Sequence, residues 1–227
     1  ILSGKDVSRS IYQSLEKRIA VLKTDNVTPG LAVVLVGENP ASKVYVSSKS
    51  KKFNQLDLHS ETFFLPKDVP EGDVLDLVHQ LNADPAFHAI LVQLPLPRHI
   101  NSNKILWAID GKKDVDGFHP ENVGLLTIGE PRFVPCTPKG IMRILTYYEI
   151  DLLGKHVVVV GRSNIVGRPI SILTSLKQSG ANGTTTLCHS RTPNISDFTK
   201  SADIVVVALG VAEYLTGNMI KEGSIVI

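Results

Sequence analysis

The sequence predicts two α/β domains, the second a Rossmann-type nucleotide-binding domain, with a cleft between them. Short apolar runs alternate with helical patterns, which is typical of a parallel sheet covered by helices. The alternation stops at a glycine- and proline-rich region and then starts again, which indicates two domains. A glycine-bounded segment, residues 161–167, follows the first apolar run of the second half, where a nucleotide phosphate can bind.

The first half begins with an apolar run that ends at Gly37 and predicts a buried parallel strand. A predicted helix follows, with Pro40 near its start, a position that proline favours. Pro95 and Pro97 end the last strand of this half. The predicted elements are a strand at 31–36, a helix at 41–54, a strand at 62–65, a helix at 74–82 and a strand at 89–93.

Residues 114–139 are rich in glycine and proline and predict a loop and hinge region. We place the domain boundary near residue 118, which gives domains 1–118 and 119–227. The final run is predicted to be a buried strand, and we expect the protein to continue beyond it. The second half is predicted to contain a helix at 140–149, a strand at 156–160, a helix from 167 past 176, and strands at 184–188, 202–208 and 223–227.

Composition excludes several classes of protein. The net charge is +2, from 24 Lys and Arg against 22 Asp and Glu, and aromatic residues are 6% of the chain. Neither value favours binding to nucleic acid or to an anionic membrane. No apolar run is long enough to span a bilayer, and Lys5 and Asp6 interrupt any secretory signal. We therefore expect a protein of the cytosol or an organelle matrix, with a cytoplasmic location preferred.

Neither a disulfide framework nor a metal site is predicted. The two cysteines, Cys136 and Cys188, are too few for a framework of crosslinks. Cys188 and His189 are adjacent, but no other cysteine or histidine has ligand-like spacing nearby.

The segment from Gly161 to Gly167 predicts a nucleotide site. It joins a predicted strand to a predicted helix, so its main-chain N–H groups and the positive helix end can hold a pyrophosphate. The pattern departs from G-x-G-x-x-G because Ser163 replaces the middle glycine. An ordinary strand-to-helix turn is the alternative interpretation.

The end of the following strand favours NADP over NAD. An NAD site usually has an Asp or Glu there to bind the ribose 2′-hydroxyl. This chain instead has His189, Ser190 and Arg191, and Arg162 lies just past the preceding strand. Guanidinium groups bind phosphate with two parallel hydrogen bonds, whereas a carboxylate would repel it. Alternatively, Arg191 is a solvated turn residue.

Tyr45 and Lys49 are four residues apart and share one face of the predicted helix. A Tyr hydroxyl beside a Lys amine can relay protons. Short-chain dehydrogenases also carry Y-x-x-x-K, but there it follows the nucleotide-binding segment, whereas here it precedes residues 161–167. The neighbouring lysines, at 51 and 52, predict either a solvated helix face or a surface that attracts an anionic substrate tail.

Three further features strengthen the prediction of an active site. Gln93 ends an apolar strand, and a buried amide there requires a hydrogen-bonding partner or a ligand. Asp114 and Asp116 lie in a short polar loop, and residues 135–138 form a rigid segment with two prolines. Taken singly, each is better explained as a capping Gln, a solvated acidic turn or a structural hinge. Their joint occurrence favours a site.

These motifs resemble the methylenetetrahydrofolate dehydrogenase/cyclohydrolase family, in that family's order and over essentially the whole chain. Residues 188–192 are also similar to its NADP-dependent members. The segments that carry the resemblance are PASKVYVSSKSK at 40–51, VQLPL at 92–96, KDVDG at 113–117, PCTPKG at 135–140 and VGRSNIVGRP at 160–169.

The resemblance implies NADP-dependent oxidation of 5,10-methylenetetrahydrofolate to the methenyl cation, followed by hydrolysis to 10-formyltetrahydrofolate. It implies that Lys49 is the general base, that Tyr45 orients the folate, that Gln93 tunes Lys49 and that Asp116 holds the pterin. It also implies a homodimer formed through the nucleotide domain. Ser42, Val92 and Leu94 are implied as further substrate contacts, and Gly161, Arg162, Ser163, Ser190, Arg191 and Thr137 as NADP contacts.

The resemblance also has a gap. The family's chain continues past the last strand with a D-x-G-x-N segment, a loop that helps to hold the folate, and a helix, none of which is in this sequence. Three alternatives stay open: a monofunctional dehydrogenase of the same family, another two-domain NADP-dependent dehydrogenase acting on a shikimate-like acid, and a nucleotide-sensing protein without catalysis.

A lysine that acts as a base has to be uncharged, and burial favours the uncharged form of an amine. We therefore expect Lys49 to lie in a pocket rather than in open water.

Overall fold

The computed structural model describes residues 1–227, which divide into two compact units. The N-terminal unit is Ser8–Val123, and the C-terminal unit is Gly124–Ile227 together with Ile1–Val7. The division near residue 118 into a folate-binding and a nucleotide-binding domain stays a prediction.

The N-terminal unit contains a three-stranded parallel sheet with strand order β2-β1-β3. All seven residues of β1 are buried because a strand lies on each side of it and apolar side chains cover both faces. The elements are α1 (Gly4–Thr24), β1 (Gly30–Val36), α2 (Pro40–Gln55), β2 (His59–Leu65), α3 (Glu71–Ala83), β3 (Ala89–Val92), α4 (Ser102–Ala108) and α5 (Pro120–Thr127), which ends in the C-terminal unit.

The C-terminal unit contains a four-stranded parallel sheet with strand order β5-β4-β6-β7. Its core combines the buried valines of β4 with apolar residues of α6 and α7. The elements are α6 (Cys136–Tyr147), β4 (His156–Val160), α7 (Gly167–Ser175), β5 (Thr184–Cys188), α8 (Ile195–Ser201), β6 (Ile204–Val207), a short 3₁₀ helix (Gly217–Met219) and β7 (Ile225–Val226).

Both sheets share one topological feature. The first strand of each is flanked by the second strand on one side and the third strand on the other. The strand order therefore reverses between the first and third strands of each sheet. Ligands of open α/β sheets bind outside the carboxyl ends of the strands at such a point. The parallel α/β fold predicted for both halves is confirmed.

The predicted loop and hinge region, residues 114–139, is partly wrong. It contains all of α5 and the start of α6, with Pro120 and Pro138 in the first turns. The N–H groups of a first helical turn have no intrahelical partner, so proline is tolerated there and does not exclude a helix. The predicted helix at 167 also ends earlier than expected, at Ser175, because Leu176 is extended.

The last strand is not buried as predicted. β7 has two residues, pairs with β6 alone, and leaves Val226 43% exposed. An apolar run predicts a strand, but burial also requires neighbours on both sides. No prediction was made for α1, α4 and α8. For α4 a signal was present, because Asn101 caps it by accepting hydrogen bonds from two main-chain N–H groups.

No helix of the structure is long and apolar enough to cross a lipid bilayer.

Asp203, directly before β6, is hydrogen-bonded to the start of β4 and to the segment that precedes β7. Its carboxylate accepts hydrogen bonds from Lys221 Nζ at 2.7 Å and from the main-chain N–H of His156 at 2.8 Å. These two hydrogen bonds lower the pKa of Asp203, and the bond from Lys221 has the larger effect. A lowered pKa stabilises the fold above the pKa of the unfolded state, about 3.9, and this contribution is lost as the pH falls through the folded value.

We therefore expect Asp203→Asn to lower the free energy of unfolding at pH 7. The difference from the wild type should shrink as the pH falls below about 4. Urea denaturation at a series of pH values measures the free energy of unfolding of both proteins and the way in which their difference changes with pH. Asp68→Asn, at an exposed carboxylate without a partner, should show no such pattern. A constant difference at all pH values would contradict the assignment.

The two cysteines differ in accessibility. Cys188 is fully buried at the end of β5, and burial raises the pKa of its thiol, whereas Cys136 is exposed. The thiolate is the reactive form, so we expect one thiol per native chain to react rapidly with an aromatic disulfide reagent and two after unfolding. Cys136→Ser should abolish the rapid phase. Two rapid thiols in the native protein would contradict the buried position of Cys188.

Candidate active site

Helix α2 places three of the predicted residues at the carboxyl end of the first sheet. Asn39 caps the helix by accepting a hydrogen bond from Ser42 N at 3.0 Å, and Pro40 occupies its first turn. This start fixes the helix directly after β1. Ser42 is buried, while Tyr45 and Lys49 lie one turn apart, as their spacing predicts.

Lys49 and Gln93 are joined by a hydrogen bond. Lys49 Nζ donates to Gln93 Oε1 at 3.2 Å, and Gln93 directly follows β3, where its main-chain N–H extends the ladder to Val34 O. The two side chains therefore meet at the carboxyl ends of β1 and β3, where the strand order reverses. Lys49 is partly buried and forms no ion pair, and the group that it hydrogen-bonds is a neutral amide.

The main-chain carbonyl of Leu94 fixes the orientation of the Gln93 amide. It accepts hydrogen bonds from Gln93 Nε2 at 2.9 Å and, more weakly, from Ser42 Oγ at 3.5 Å. With its NH₂ group used on this carbonyl, the amide presents its oxygen to Lys49. Ser42, Lys49, Gln93 and Leu94 are thus one hydrogen-bonded group.

The other predicted substrate contacts lie outside that group. Tyr45 is 63% exposed, so its ring is open to a ligand. Val92 is 2% exposed and packs in the core beneath Gln93. Asp116 is partly buried, two residues after Asp114.

The loop that carries Asp116 is anchored through Asp114, which is 1% exposed. The Asp114 carboxylate accepts hydrogen bonds from His119 N and Asn122 Nδ2, both at 2.8 Å. The alternative of a solvated acidic turn is therefore wrong for Asp114. Lys113 is also structural, because its ammonium donates to two carbonyl groups at the end of α3.

In the C-terminal unit, Gly161 and Gly167 allow a very close approach of main-chain segments. Gly161 follows β4 with φ +125°, and a Cβ there would overlap the carbonyl oxygen of Ala208. A Cβ at Gly167 would overlap the carbonyl of Gly161 itself. Both positions therefore require glycine, and α7 begins immediately beside the end of β4.

Ser163, in the position of the missing middle glycine, binds the main chain at the start of α7. Its hydroxyl oxygen accepts hydrogen bonds from Val166 N at 3.1 Å and Gly167 N at 3.4 Å. The hydroxyl proton remains available for a ligand. The segment is thus an ordered turn at a helix start, where anions are favoured.

The residues after β4 and β5 suit an anionic ligand. Arg162, Ser190 and Arg191 are exposed, and neither guanidinium group is engaged in an ion pair. His189 Nδ1 accepts a hydrogen bond from Arg191 N at 3.1 Å, which shapes this turn. No carboxylate occurs in the turn, as the prediction of NADP requires. Thr137 is exposed in the first turn of α6.

Sequence reasoning missed two residues that support the site. Asn39 was detectable as a capping residue before Pro40. Asn122 is fully buried and holds the Asp116 loop, but one Asn among weakly periodic residues gave no signal. No three His, Cys, Asp or Glu side chains are grouped to hold a metal ion.

Two family models match the chain. Residues 2–116 match the catalytic domain of tetrahydrofolate dehydrogenase/cyclohydrolase, and residues 135–227 match the NAD(P)-binding domain of the same family. The matched ranges correspond to the two sheets and their helices, so the prediction of a Rossmann-type second domain is confirmed.

Similar proteins carry the name bifunctional protein FolD. The one from Syntrophobacter fumaroxidans is 50% identical over this whole chain, which covers 77% of that protein, and the one from Streptococcus agalactiae is 49% identical with 79% covered. The crystal structure of the bifunctional enzyme from Campylobacter jejuni superposes with a TM-score of 0.94 at 44% identity, over 99% of this chain and 79% of that one. The Trypanosoma brucei enzyme, complexed with NADP and an inhibitor, gives 0.92 at 35% identity, over 98% and 76%.

Proposed function

This chain belongs to the tetrahydrofolate dehydrogenase/cyclohydrolase family, and we propose on that basis that it catalyses both reactions of the family name. The first oxidises 5,10-methylenetetrahydrofolate to 5,10-methenyltetrahydrofolate with NADP⁺. The second hydrolyses the methenyl cation to 10-formyltetrahydrofolate. Residues 1–118 are proposed to bind the folate and residues 119–227 the NADP.

The observation that carries the proposal is the hydrogen bond between Lys49 and Gln93. It places an amine without an acidic partner at the carboxyl end of the first sheet. One N–H bond of the Lys49 amine points to Gln93 Oε1. This bond fixes the directions of the lone pair and of the other N–H bond. An amine held in this way can take a proton from a water molecule that attacks the methenyl carbon.

In the hydrolysis, the oxygen of water bonds to the methenyl carbon and one proton of that water leaves. The bond from this carbon to N5 then breaks as the second proton passes from the oxygen to N5, which leaves the formyl group on N10. Lys49 is the base that removes the proton, and Gln93 positions it. Tyr45, exposed one turn earlier, lies against the folate, and Asp116 accepts hydrogen bonds from the pterin N–H groups. Ser42 and Leu94 hold the Gln93 amide.

The oxidation requires alignment of two carbon atoms and no protein acid or base. NADP⁺, when bound, accepts the hydride. Gly161 and Ser163 form the turn for the pyrophosphate, and Arg162, Ser190 and Arg191 bind the 2′-phosphate. Thr137 is proposed to lie beside the nicotinamide. The donor set fits NADP because it includes two guanidinium groups and no carboxylate.

We expect Arg191→Ala to raise the KM for NADP⁺ about tenfold or more, because a hydrogen bond to a charged group contributes about 1.5–3 kcal/mol. The KM for NAD⁺ should change less than about twofold, since NAD⁺ lacks the 2′-phosphate. Initial rates measured with each cofactor give the two KM values in the variant and in the wild type. Arg143→Ala, at an exposed arginine of α6, should leave both values unchanged. An equal loss for both cofactors would remove the phosphate role of Arg191.

A spectrophotometric assay tests the whole proposal and separates the alternatives. NADP⁺ reduction with methylenetetrahydrofolate, followed by decay of the methenyl product, shows both activities. Reduction without enzymatic decay would show a monofunctional dehydrogenase. NADP binding without turnover would show a nucleotide sensor, and turnover only with a shikimate-like acid would show another dehydrogenase.

We also propose a homodimer formed through the C-terminal unit, and a cytoplasmic location. Size-exclusion chromatography with light scattering measures the mass of the assembly, and cell fractionation tests the location. A monomer at micromolar concentration would overturn the first proposal.

A further inference from the structure

The loop that carries Asp116 is held by two buried polar side chains that take no part in the proposed chemistry. Asp114 is 1% exposed and Asn122 is fully buried. Burial of a carboxylate and of an amide costs free energy unless both are hydrogen-bonded. A pair of this kind is retained at such a cost where it fixes a conformation.

The hydrogen bonds of Asn122 connect separate parts of the loop. Its Nδ2 donates to Asp114 Oδ2 at 2.8 Å and to the carbonyl oxygen of Gly111 at 2.9 Å. The second donor to Asp114 Oδ2 is the main-chain N–H of His119. Asn122 therefore ties Asp114 to Gly111, three residues before it in the sequence, and His119 ties it to the segment that follows.

The same loop is attached to β3. The N–H of Ile90 donates to the carbonyl of Lys113 at 2.8 Å, and Asp114 forms a parallel bridge with Ile90. Gly117 closes the loop with φ +70°, and its N–H donates to the Asp114 carbonyl at 3.2 Å. Asp116 thus lies between two anchored residues, Asp114 and Gly117, on a loop that is hydrogen-bonded to β3, the strand directly before Gln93.

We propose that Asp114 and Asn122 are positioning residues that hold Asp116 in the orientation that binds the pterin. This inference rests on the proposed function, which assigns Asp116 to the folate. We call this hydrogen-bonded pair, Asp114 and Asn122, the clamp. Without the clamp, the loop still carries Asp116 but no longer holds its carboxylate in one orientation. The folate then loses a preorganised partner, whereas NADP does not.

The test measures Michaelis constants for Asn122→Ala and for Asp114→Leu, which removes the acceptor oxygen, with Asn103→Ala as an exposed control on α4. We expect each clamp variant to raise the KM for methylenetetrahydrofolate about tenfold, the factor that corresponds to one lost hydrogen bond. The KM for NADP⁺ should change less than about twofold. Asp114→Leu keeps the branched shape of the side chain and breaks its hydrogen bonds from His119 N and Asn122 Nδ2, so it remains informative if Asn122→Ala does not fold.

A double-mutant cycle with Asp116→Ala separates positioning from general loss of structure. If the clamp acts through Asp116, Asn122→Ala or Asp114→Leu should have little further effect on the folate KM when Asp116 is already Ala. Additive effects, or an unchanged folate KM in a folded clamp variant, would overturn the inference. An Asp116→Ala variant with an unchanged folate KM would overturn it together with the assigned role of Asp116. No turnover of any folate by the wild type would instead be a failure of the proposed function.

Discussion

Replacement of Lys49 by Met is expected to abolish the cyclohydrolase activity and to spare most of the dehydrogenase activity. A general base contributes about 10²–10⁴-fold to a rate, so hydrolysis of the methenyl substrate should fall by at least about a hundredfold. Hydride transfer depends on alignment alone, and Met preserves the length and packing of the side chain. The two activities should therefore separate by at least about tenfold in the same variant. Rates of NADP⁺ reduction and of methenyl decay measure the separation.

The control is Lys51→Met, which removes a charge from the exposed side of the same helix. Both activities should then match the wild type, and the melting temperature of each variant should confirm a folded protein. Unchanged hydrolysis by the Lys49 variant would remove the general base from the proposal. An equal decrease in both activities would instead assign Lys49 to folate binding.

The second large effect is expected for Gly167→Ala. The added Cβ would overlap the carbonyl of Gly161, a main-chain group that cannot move while Gly161 N donates to Cys188 O. Overpacking in a rigid core costs about 1–3 kcal/mol and occasionally more, and we expect the upper end because both contacting groups are main chain. The displaced turn should also lose its affinity for NADP. Thermal unfolding and calorimetric titration with NADP⁺ measure the two effects.

Gly140→Ala provides the matched comparison. Gly140 lies within α6 with open space around the position of a Cβ, so alanine should stabilise the helix by about 0.5–1 kcal/mol. Replacement of glycine by alanine should therefore lower the free energy of unfolding at Gly167 and raise it at Gly140, although both glycines lie in the same unit. A Gly167 variant with normal stability and normal NADP affinity would show that the turn can relax, contrary to the structure.

The sequence predicts the structure best where a pattern of residues has a single physical cause, such as the burial of both faces of a strand. The valines of β1 and β4 have no polar residue among them because both faces of each strand are covered, and these strands lie where the apolar runs predict. The spacing of Tyr45 and Lys49 implied a shared helix face, and α2 provides it. The residues after the strands were detectable because parallel strands gather their carboxyl ends at one edge.

Prediction failed where burial or a helix depends on partners distant in the sequence. The prolines of α5 and α6 indicated loops, since a local pattern does not show which prolines fall in a first helical turn. The burial of Asp114 depends on Asn122 and on a main-chain N–H, neither of which is marked by periodicity. Val226 is exposed because β7 lies at the edge of its sheet, and no feature of the residue itself predicts this position.

The strand order shared by the two sheets separates the residues that make the protein fold from those that give it a chemistry. Valines inside the ladders can be exchanged for other β-branched residues with little effect on a ligand, while Gln93 or Arg162 can be changed with little effect on the ladders. A family built on this plan is free to alter its cofactor preference or lose one of its activities through a few substitutions after the strands. Divergence among its members should therefore concentrate at those positions and leave the scaffold recognisable.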